Sequence, residues 1–346
     1  MGDPICRIRN SSMYMMLVAE DQDNELVGVI QGSIKVLTIH GHAPHDLAKV
    51  GYVLGLRVAP HSQRKGIGSN LVQRLEEWFI SNDVDYTYVA TEKDDHASVS
   101  FFMGKFGYTK FRTLAVLVNP VNHHSVQISP NIEIARLKIE KAESLYRRFM
   151  GSTEFFPIDI ENILRNKLSL GTWVAYFKED SGWCESDGKV PHSWAMLSVW
   201  NSGEIYNLRI GKAPLSCLLF IKSWNLIGKI LPCLKFPTLP DFFNPFGFYF
   251  IYGVYHEGPL SGKLVRDLCQ FVHNMASISK CENENSKIIV TEVGEGDELN
   301  HHIPHQKSLP CPDLWCIKTL KNEETHTFCE LTNTPPRALF VDPTEV

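Results

Sequence analysis

No stretch of this chain is both long and apolar enough to read as a membrane span. The longest run free of both charged residues and histidine, Phe242–Tyr255, is too short for a bilayer and is interrupted by Asn244, Pro245 and Gly247. A leader is equally hard to find. The first ten residues are polar and charged, and Cys6 occupies the place where a myristoylation signal needs Ser or Thr. The chain is therefore expected to be unsecreted and to have no membrane partner. An excess of positive charge is missing too: 34 Lys and Arg against 39 Asp and Glu leave a net charge of −5, which argues against a direct nucleic-acid partner. The nine cysteines are odd in number and scattered, so they read as reduced thiols of the cytoplasm or nucleus rather than as a disulfide framework. His301, His302, His305, Cys311 and Cys316 match no standard zinc spacing, and Cys316 falls in a strand-like run, so no metal is expected. Two phosphate-binding signatures are absent: G-x-x-x-x-G-K-[ST], and G-x-G-x-x-G behind the first strand.

What is present is a globular composition, 44% hydrophobic and 21% charged over 346 residues, enough for two domains. Alternation and apolar runs predict strands over Met13–Glu20, Leu26–Ile39 and Gly51–Ala59. An amphipathic helix is predicted over Ser69–Asn82, then a strand over Val84–Thr91. A short helix over Asp95–Lys105, capped by Asp94 or Asp95, precedes a strand over Tyr108–Val118. That order indicates an α/β layered architecture. Asn119–His124 reads as a linker, dividing the chain into 1–120 and 121–346. The second part reads as strand Ile132–Leu137, helices Glu140–Met150 and Asp159–Leu168, strands Trp173–Phe177, Trp194–Trp200 and Phe248–Val254, helix Ser261–Ser277 and strand Lys287–Val293.

The two parts echo each other. GYVLGLRVAPHSQRKGIGSNLVQRLEEWF ending at VATE can be laid beside FYFIYGVYHEGPLSGKLVRDLCQFVHNMA ending at VTEV, with Glu92 and Glu292 at similar places. Either the chain holds a degenerate tandem repeat, or it holds two unrelated strand–helix–strand units. Gly151–Ile160 (GSTEFFPIDI) also has two readings, a packed helix entry or part of a substrate site.

The densest chemistry lies in Val58–Ser69. A strand that turns sharply into a helix leaves backbone N–H groups pointing into the bend. Gly66 and Gly68 free that backbone for close approach, and Arg64 and Lys65 add positive charge, which together suit a pyrophosphate. A plain glycine-rich turn with solvated Arg and Lys is the other reading.

Val58-Ala59-Pro60 followed by Gln63-Arg64-Lys65-Gly66-Ile67-Gly68 resembles motif A of the GNAT acetyltransferases, and Ala97–Tyr108 resembles their second cofactor segment. GDPICRIR, YVLGLRV, STEFFPIDI, NKLSLGTWVA, SWAMLSVWN and DLWCIK are similar to the plant hookless family of probable N-acetyltransferases over almost the whole chain. The resemblance implies an α/β (α+β) fold, a GNAT-type central mixed sheet flanked by helices, followed by a second, degenerate GNAT-like domain. It implies acetyl-CoA as co-substrate, a protein or small-molecule amine as acceptor, and a role in ethylene- and auxin-linked growth. The cofactor residues it implies are Leu56, Val58, Gln63, Arg64, Lys65, Gly66, Ile67, Gly68, Ser69, Ala97 and Phe101, with Glu92 as candidate base. Two departures accompany it. Met103 stands where the family often has a tyrosine, and the usual first strand and two helices are missing ahead of Met13, so either the product is shortened or the second half walls that side. The competing class is a weak or inactive GNAT-derived regulatory protein acting through partners.

Overall fold

The computed structural model describes residues 7–39, 47–121, 125–180, 190–208, 245–280, 288–306, 311–321, 328, 331–332 and 338–346. The tip of the expected linker, Asn122-His123-His124, lies outside them. The first half contributes β1 (Met13–Glu20), β2 (Leu26–Thr38), β3 (Leu47–Val58), α1 (Ile67–Ser81) and β4 (Tyr86–Glu92). It continues with α2 (His96–Val99), which runs on as a wider π turn over Ser100–Lys105, and β5 (Thr109–Pro120). The second half follows with β6 (Ile132–Arg136), α3 (Ile139–Met150), α4 (Ile160–Arg165), β7 (Ser169–Phe177) and β8 (Trp194–Asn201). It ends with β9 (Phe248–Glu257), α5 (Ser261–Lys280), β10 (Ile288–Gly294), α6 (Leu299–His302) and β11 (Cys311–Thr319).

All eleven strands form one sheet in the order β1-β2-β3-β4-β11-β5-β10-β9-β8-β7-β6. Two neighbouring pairs are parallel, β3 with β4 and β9 with β10, and α1 and α5 make their crossovers. The sheet is mixed and flanked by helices, as the resemblance implied. Its centre was not foreseen. β11, the last strand of the chain, slots between β4 and β5, while β5 pairs on its other edge with β10. Each half thus meets the other half's last strand. Trp315 and Ile317 alternate with Leu314 and Cys316, each set buried on its own face of the sheet, as a strand covered on both sides requires.

One face carries α1 and α2 over the first half and α5 over the second. Leu71, Val72, Leu75 and Phe79 form the buried stripe of α1. They pack closely enough that a methyl group added at Gly51 would stand 2.7 Å from the Phe79 ring. The other face carries α3 and α4 over the second half. Over the first half it is walled by two irregular segments of the second half. Phe155 N–H donates to Thr38 O (2.7 Å), Thr38 N–H to Phe156 O (3.0 Å), and Phe340 N–H to Glu154 O (2.8 Å). Phe155, Phe156, Phe340 and Val341 are buried there, so the two phenylalanines of GSTEFFPIDI belong to the core. β1 remains the outermost strand, with Met13, Tyr14 and Val18 exposed.

The internal echo holds in backbone detail. The β2–β3 register slips between Val29 and Gln31, beside Gly55 at φ +66°. The β8–β9 register slips between Met196 and Ser198, beside Gly253 at φ +60°. The parallel pairs stop just ahead of these bulges, at Val53↔Val89 in one half and Ile251↔Thr291 in the other. By that register Glu292 corresponds to Ala90, not to Glu92, so the alignment of the two glutamates is corrected by two positions.

Candidate functional site

β3 and β4 run on past their last parallel pair to Val58 and Glu92 without bonding each other. The bulge at Gly55 turns the end of β3 away from β4, and the sheet splays open. Leu56 and Val58 line the β3 side, both half-buried.

The expected glycine loop follows directly. Pro60–Ser62 forms a 3₁₀ turn, Gln63 donates back to Val58 O (3.4 Å), and Arg64 takes φ +63°. Gly66, at φ +86°, is the N-cap of α1, so the helix begins two residues before the expected Ser69. The left-handed cap is what glycine tolerates without steric cost. No side chain caps this end and no acid stands in its first turn, so its amide groups are left for another acceptor. Nothing lies within 4 Å of a methyl group placed on Gly66. One placed on Gly68 would reach Val58 at 3.5 Å and Phe101 at 3.8 Å, in ordinary contact. Arg64 and Lys65 are exposed beside the loop, and Ser69 is held by Lys105 Nζ (2.6 Å). The fit to a pyrophosphate is therefore good: an uncapped helix start, open glycines and two cations.

The second segment starts at Asp95, which caps α2 by accepting from Ser98 N–H (3.1 Å). Ala97 is exposed on α2. Phe101 is half-buried and rings with Phe102 and Phe106. Val58, Gly68 and Phe101 are thus brought together from three elements. Met103 packs into the same apolar cluster and offers no proton. Tyr108 is buried beneath it, its hydroxyl 3.4 Å from Thr87, and burial pushes its phenol well above the ordinary range.

Glu92 belongs to the opposite face. Side chains alternate along β4, and Glu92 shares its side with Tyr88 and Ala90, away from α1 and α2. The segments expected to hold the cofactor and the candidate base therefore come to opposite faces of the sheet. β11 brings Asp313 directly opposite Glu92. Burial first, and then the Glu92 charge, raise the Asp313 carboxyl above its usual range, while Arg7 opposes the shift.

Deeper on that face, Tyr52 and Tyr88 stack at 4.6 Å, and the Tyr88 hydroxyl donates to Glu345. Lys35 pairs with Asp342, lies 3.3 Å from Glu345, and donates to Thr344 (2.6 Å). Arg7 binds the Glu345 carbonyl (2.7 Å). Sequence reasoning missed Asp313, Arg7 and the 342–345 cluster, because no local pattern marks them. Elsewhere Asp21, Glu25 and His61 converge on the surface as exposed side chains, and no helix among the described residues is long and apolar enough to cross a membrane.

A strand–bulge–glycine-loop–helix unit opening between parallel strands is the cofactor-binding layout of a GNAT-type N-acyltransferase. The pattern of the Acetyltransferase (GNAT) family matches residues 3–108. A region of a fungal multi-domain GH3 β-N-acetylglucosaminidase, described as a GCN5-related glucosamine N-acetyltransferase, superposes with TM-score 0.53 at 12% identity over 90% of this chain and 34% of that one, and so shares the fold. The probable N-acetyltransferase HLS1 of Arabidopsis thaliana is 42% identical over 100% of this chain and 91% of its own length. The acetyl transferase GW6a of Oryza sativa subsp. japonica is 34% identical over 99% of this chain and 81% of its own. The chain belongs to this HLS1-type family of probable N-acetyltransferases within the GNAT enzymes. That membership implies an acyl-CoA co-substrate and an amine acceptor.

Proposed function

We propose that this protein transfers an acetyl group from acetyl-CoA to an amine of a protein or small-molecule acceptor. The observation that carries this is the uncapped, cation-flanked start of α1 at the mouth of the β3–β4 splay. Leu56 and Val58 would offer backbone groups to the pantetheine, Gln63–Ser69 would hold the pyrophosphate, and Ala97 and Phe101 would flank it. The bound thioester supplies an activated acyl carbonyl. On the opposite face Glu92 accepts the proton of the incoming amine, and Asp313 keeps a second carboxyl within its field. Positioning and this proton transfer provide most of the acceleration. The leaving thiolate takes its proton from water, because Met103 has none to donate. Met103 also favours a second reading, a regulatory protein that binds acetyl-CoA with little turnover.

Calorimetric titration of acetyl-CoA into the parent and into Gly66→Glu tests the assignment. Binding to the parent and loss in the variant supports it; no binding to a folded parent overturns it. Binding without transfer to any amine acceptor leaves the regulatory reading. On the same family likeness we propose two GNAT-like halves, 1–120 and 121–346, that exchange their last strands, and a cytoplasmic or nuclear location. A role in ethylene- and auxin-linked growth is also proposed. Imaging of a fluorescent fusion checks the location, and secretion would refute it. Expression in a plant line lacking HLS1 checks the growth role, and an unrestored seedling response to ethylene would refute it.

A further inference from the structure

The second half has an opening of its own. Past Ile251↔Thr291 the strands β9 and β10 part, and between them lies a cleft of about 240 Å³. Its walls include Phe149, Tyr255, Leu299 and Leu339, and Glu292, His256 and Asp297 are its charged or ionisable polar members besides the tyrosines.

This cleft is not built for a nucleotide-bearing cofactor. The end of β9 and the turn after it, His256-Glu257-Gly258-Pro259-Leu260, hold an acid in place of the basic pair Arg64 and Lys65 of the first half, and Pro259 lacks an N–H. A methyl group on Gly258 would stand 2.0 Å from His192 O, and Ser193 Oγ donates to Pro259 O (2.7 Å), so the loop is packed shut. Both imidazole nitrogens of His256 are engaged, with Ser261 Oγ (2.8 Å) and Glu298 (3.1 Å).

What remains is a small, mostly apolar cleft, below the usual size of small-molecule pockets. Glu292 has no hydrogen-bond or ion-pair partner among the described residues, although it is half-buried. The edges facing the gap are open as well. β9 bonds β8 on its far side and β10 bonds β5, so among the described residues the main chain of Tyr252–Tyr255 and Glu292–Gly294 makes no strand pairing across the opening; Gly253 O accepts from Tyr146 (3.2 Å), and Gly294 O accepts from Asp297 N–H (3.0 Å) and Asn300 Nδ2 (2.8 Å). Open strand edges accept an extended peptide, and an apolar wall ending in a carboxyl suits an alkyl ammonium group.

We propose that the β9–β10 cleft anchors a peptide acceptor as an added strand, with a lysine side chain lying along the apolar wall and its ammonium against Glu292. This rests on the acyl-transfer reading and deepens it. β10 is three strand spacings from β4, roughly 14 Å, so the anchored lysine is a different residue from the reacting amine. Asp313 and Glu92 stand on the same sheet face along that route, and the Arg7 charge acts on both Asp313 and Glu292.

A proton signature accompanies the geometry. Burial first, and then the Asp313 charge, push Glu292 up to about 8, with Arg7 opposing. The other titratable groups on the cleft are His256, Asp297, Tyr252 and Tyr255, and burial raises both phenols, so they stay neutral over this range. An ammonium therefore displaces a proton on binding, and the lysine, itself charged throughout, is held more tightly as pH rises from 6.5 to 8, by on the order of tenfold.

The test is saturation-transfer NMR with the full chain and two blocked pentapeptides, acetyl-Ala-Ala-Lys-Ala-Ala-amide and its norleucine counterpart. The lysine peptide should bind at least tenfold more tightly at pH 8, and Glu292→Gln should remove both that preference and the pH dependence while leaving norleucine binding intact. Equal binding of the two peptides, or no binding of either, overturns the inference. So does a lysine preference lost in Gly66→Glu but kept in Glu292→Gln, which would put the peptide in the first opening. Acetyl-CoA titrated into the same samples separates the two ideas. Lost cofactor binding with an intact lysine preference refutes acyl transfer alone, and the converse refutes the anchor alone.

Discussion

The bond between the halves can be challenged at Arg112 and Glu154. Arg112, on β5, donates from Nε (2.8 Å) and Nη2 (2.6 Å) to the two carboxyl oxygens of Glu154, in the segment that walls the first-half sheet. Both side chains are almost fully enclosed, at 4% and 3% exposure. Arg112 Nη1 also reaches Phe111 O (3.0 Å), and its guanidinium sits 4.2 Å above the Phe111 ring. Replacing Arg112 with Met leaves a carboxylate buried without a counter-charge, which costs about 3–5 kcal/mol. At roughly 2.1 cal/mol/K per residue, unfolding 346 residues carries about 0.7 kcal/mol/K, so the melting temperature should fall by about 4–7 °C. The double variant Arg112→Met/Glu154→Gln removes both charges and should recover a substantial part of the loss. Differential scanning calorimetry reads both numbers. A single-variant shift below about 1 °C, or a double variant as poor as the sum of the two singles, would refute the reasoning, since either would mean that the pair is not a desolvated unit.

Three further outcomes follow from the packing and charges. Gly51→Ala forces a methyl group to within 2.7 Å of the Phe79 ring and should lower stability by about 1–3 kcal/mol; an unchanged urea midpoint would contradict the close approach. Glu292 titrates near 8 in the fold against 4.5 outside it, so its contribution is full below pH 4.5 and is lost as pH rises to 8. Glu292→Gln should therefore gain on the parent between pH 5 and pH 8, by about 1–2 kcal/mol, because the half-buried carboxyl still meets solvent; equal pH profiles in denaturant titrations would count against it. Lys35→Met leaves Asp342 and Glu345 without their buried cation and should free residues 338–346 from the sheet. Faster limited proteolysis at that tail is the expected sign, and an unaltered digestion pattern would show that the cation does not hold it.

Much of the site was legible because it is local. The run from Val58 to Phe79 holds strand end, glycine turn and helix within reach of one another, so spacing and residue type determine it, down to Asp95 as the cap of the next helix. The tandem echo was legible as well, because both halves repeat the strand–loop–helix–strand pattern in sequence. What the echo could not supply was register. Glu92 and Glu292 look equivalent when written in rows, and only the paired strands show Glu292 opposite the position of Ala90.

The sequence alone determined the elements, the glycine loop with its two cations and the family, each of which depends on neighbours along the chain. The tertiary structure decided the rest. It put β11 between β4 and β5 and so brought Asp313 to Glu92, buried Phe155 and Phe156 as a wall, and seated Glu345 against Tyr88 and Lys35. These pairings join residues more than a hundred positions apart. They are selected by which apolar faces can be covered together, and that is a property of the whole sheet rather than of any segment.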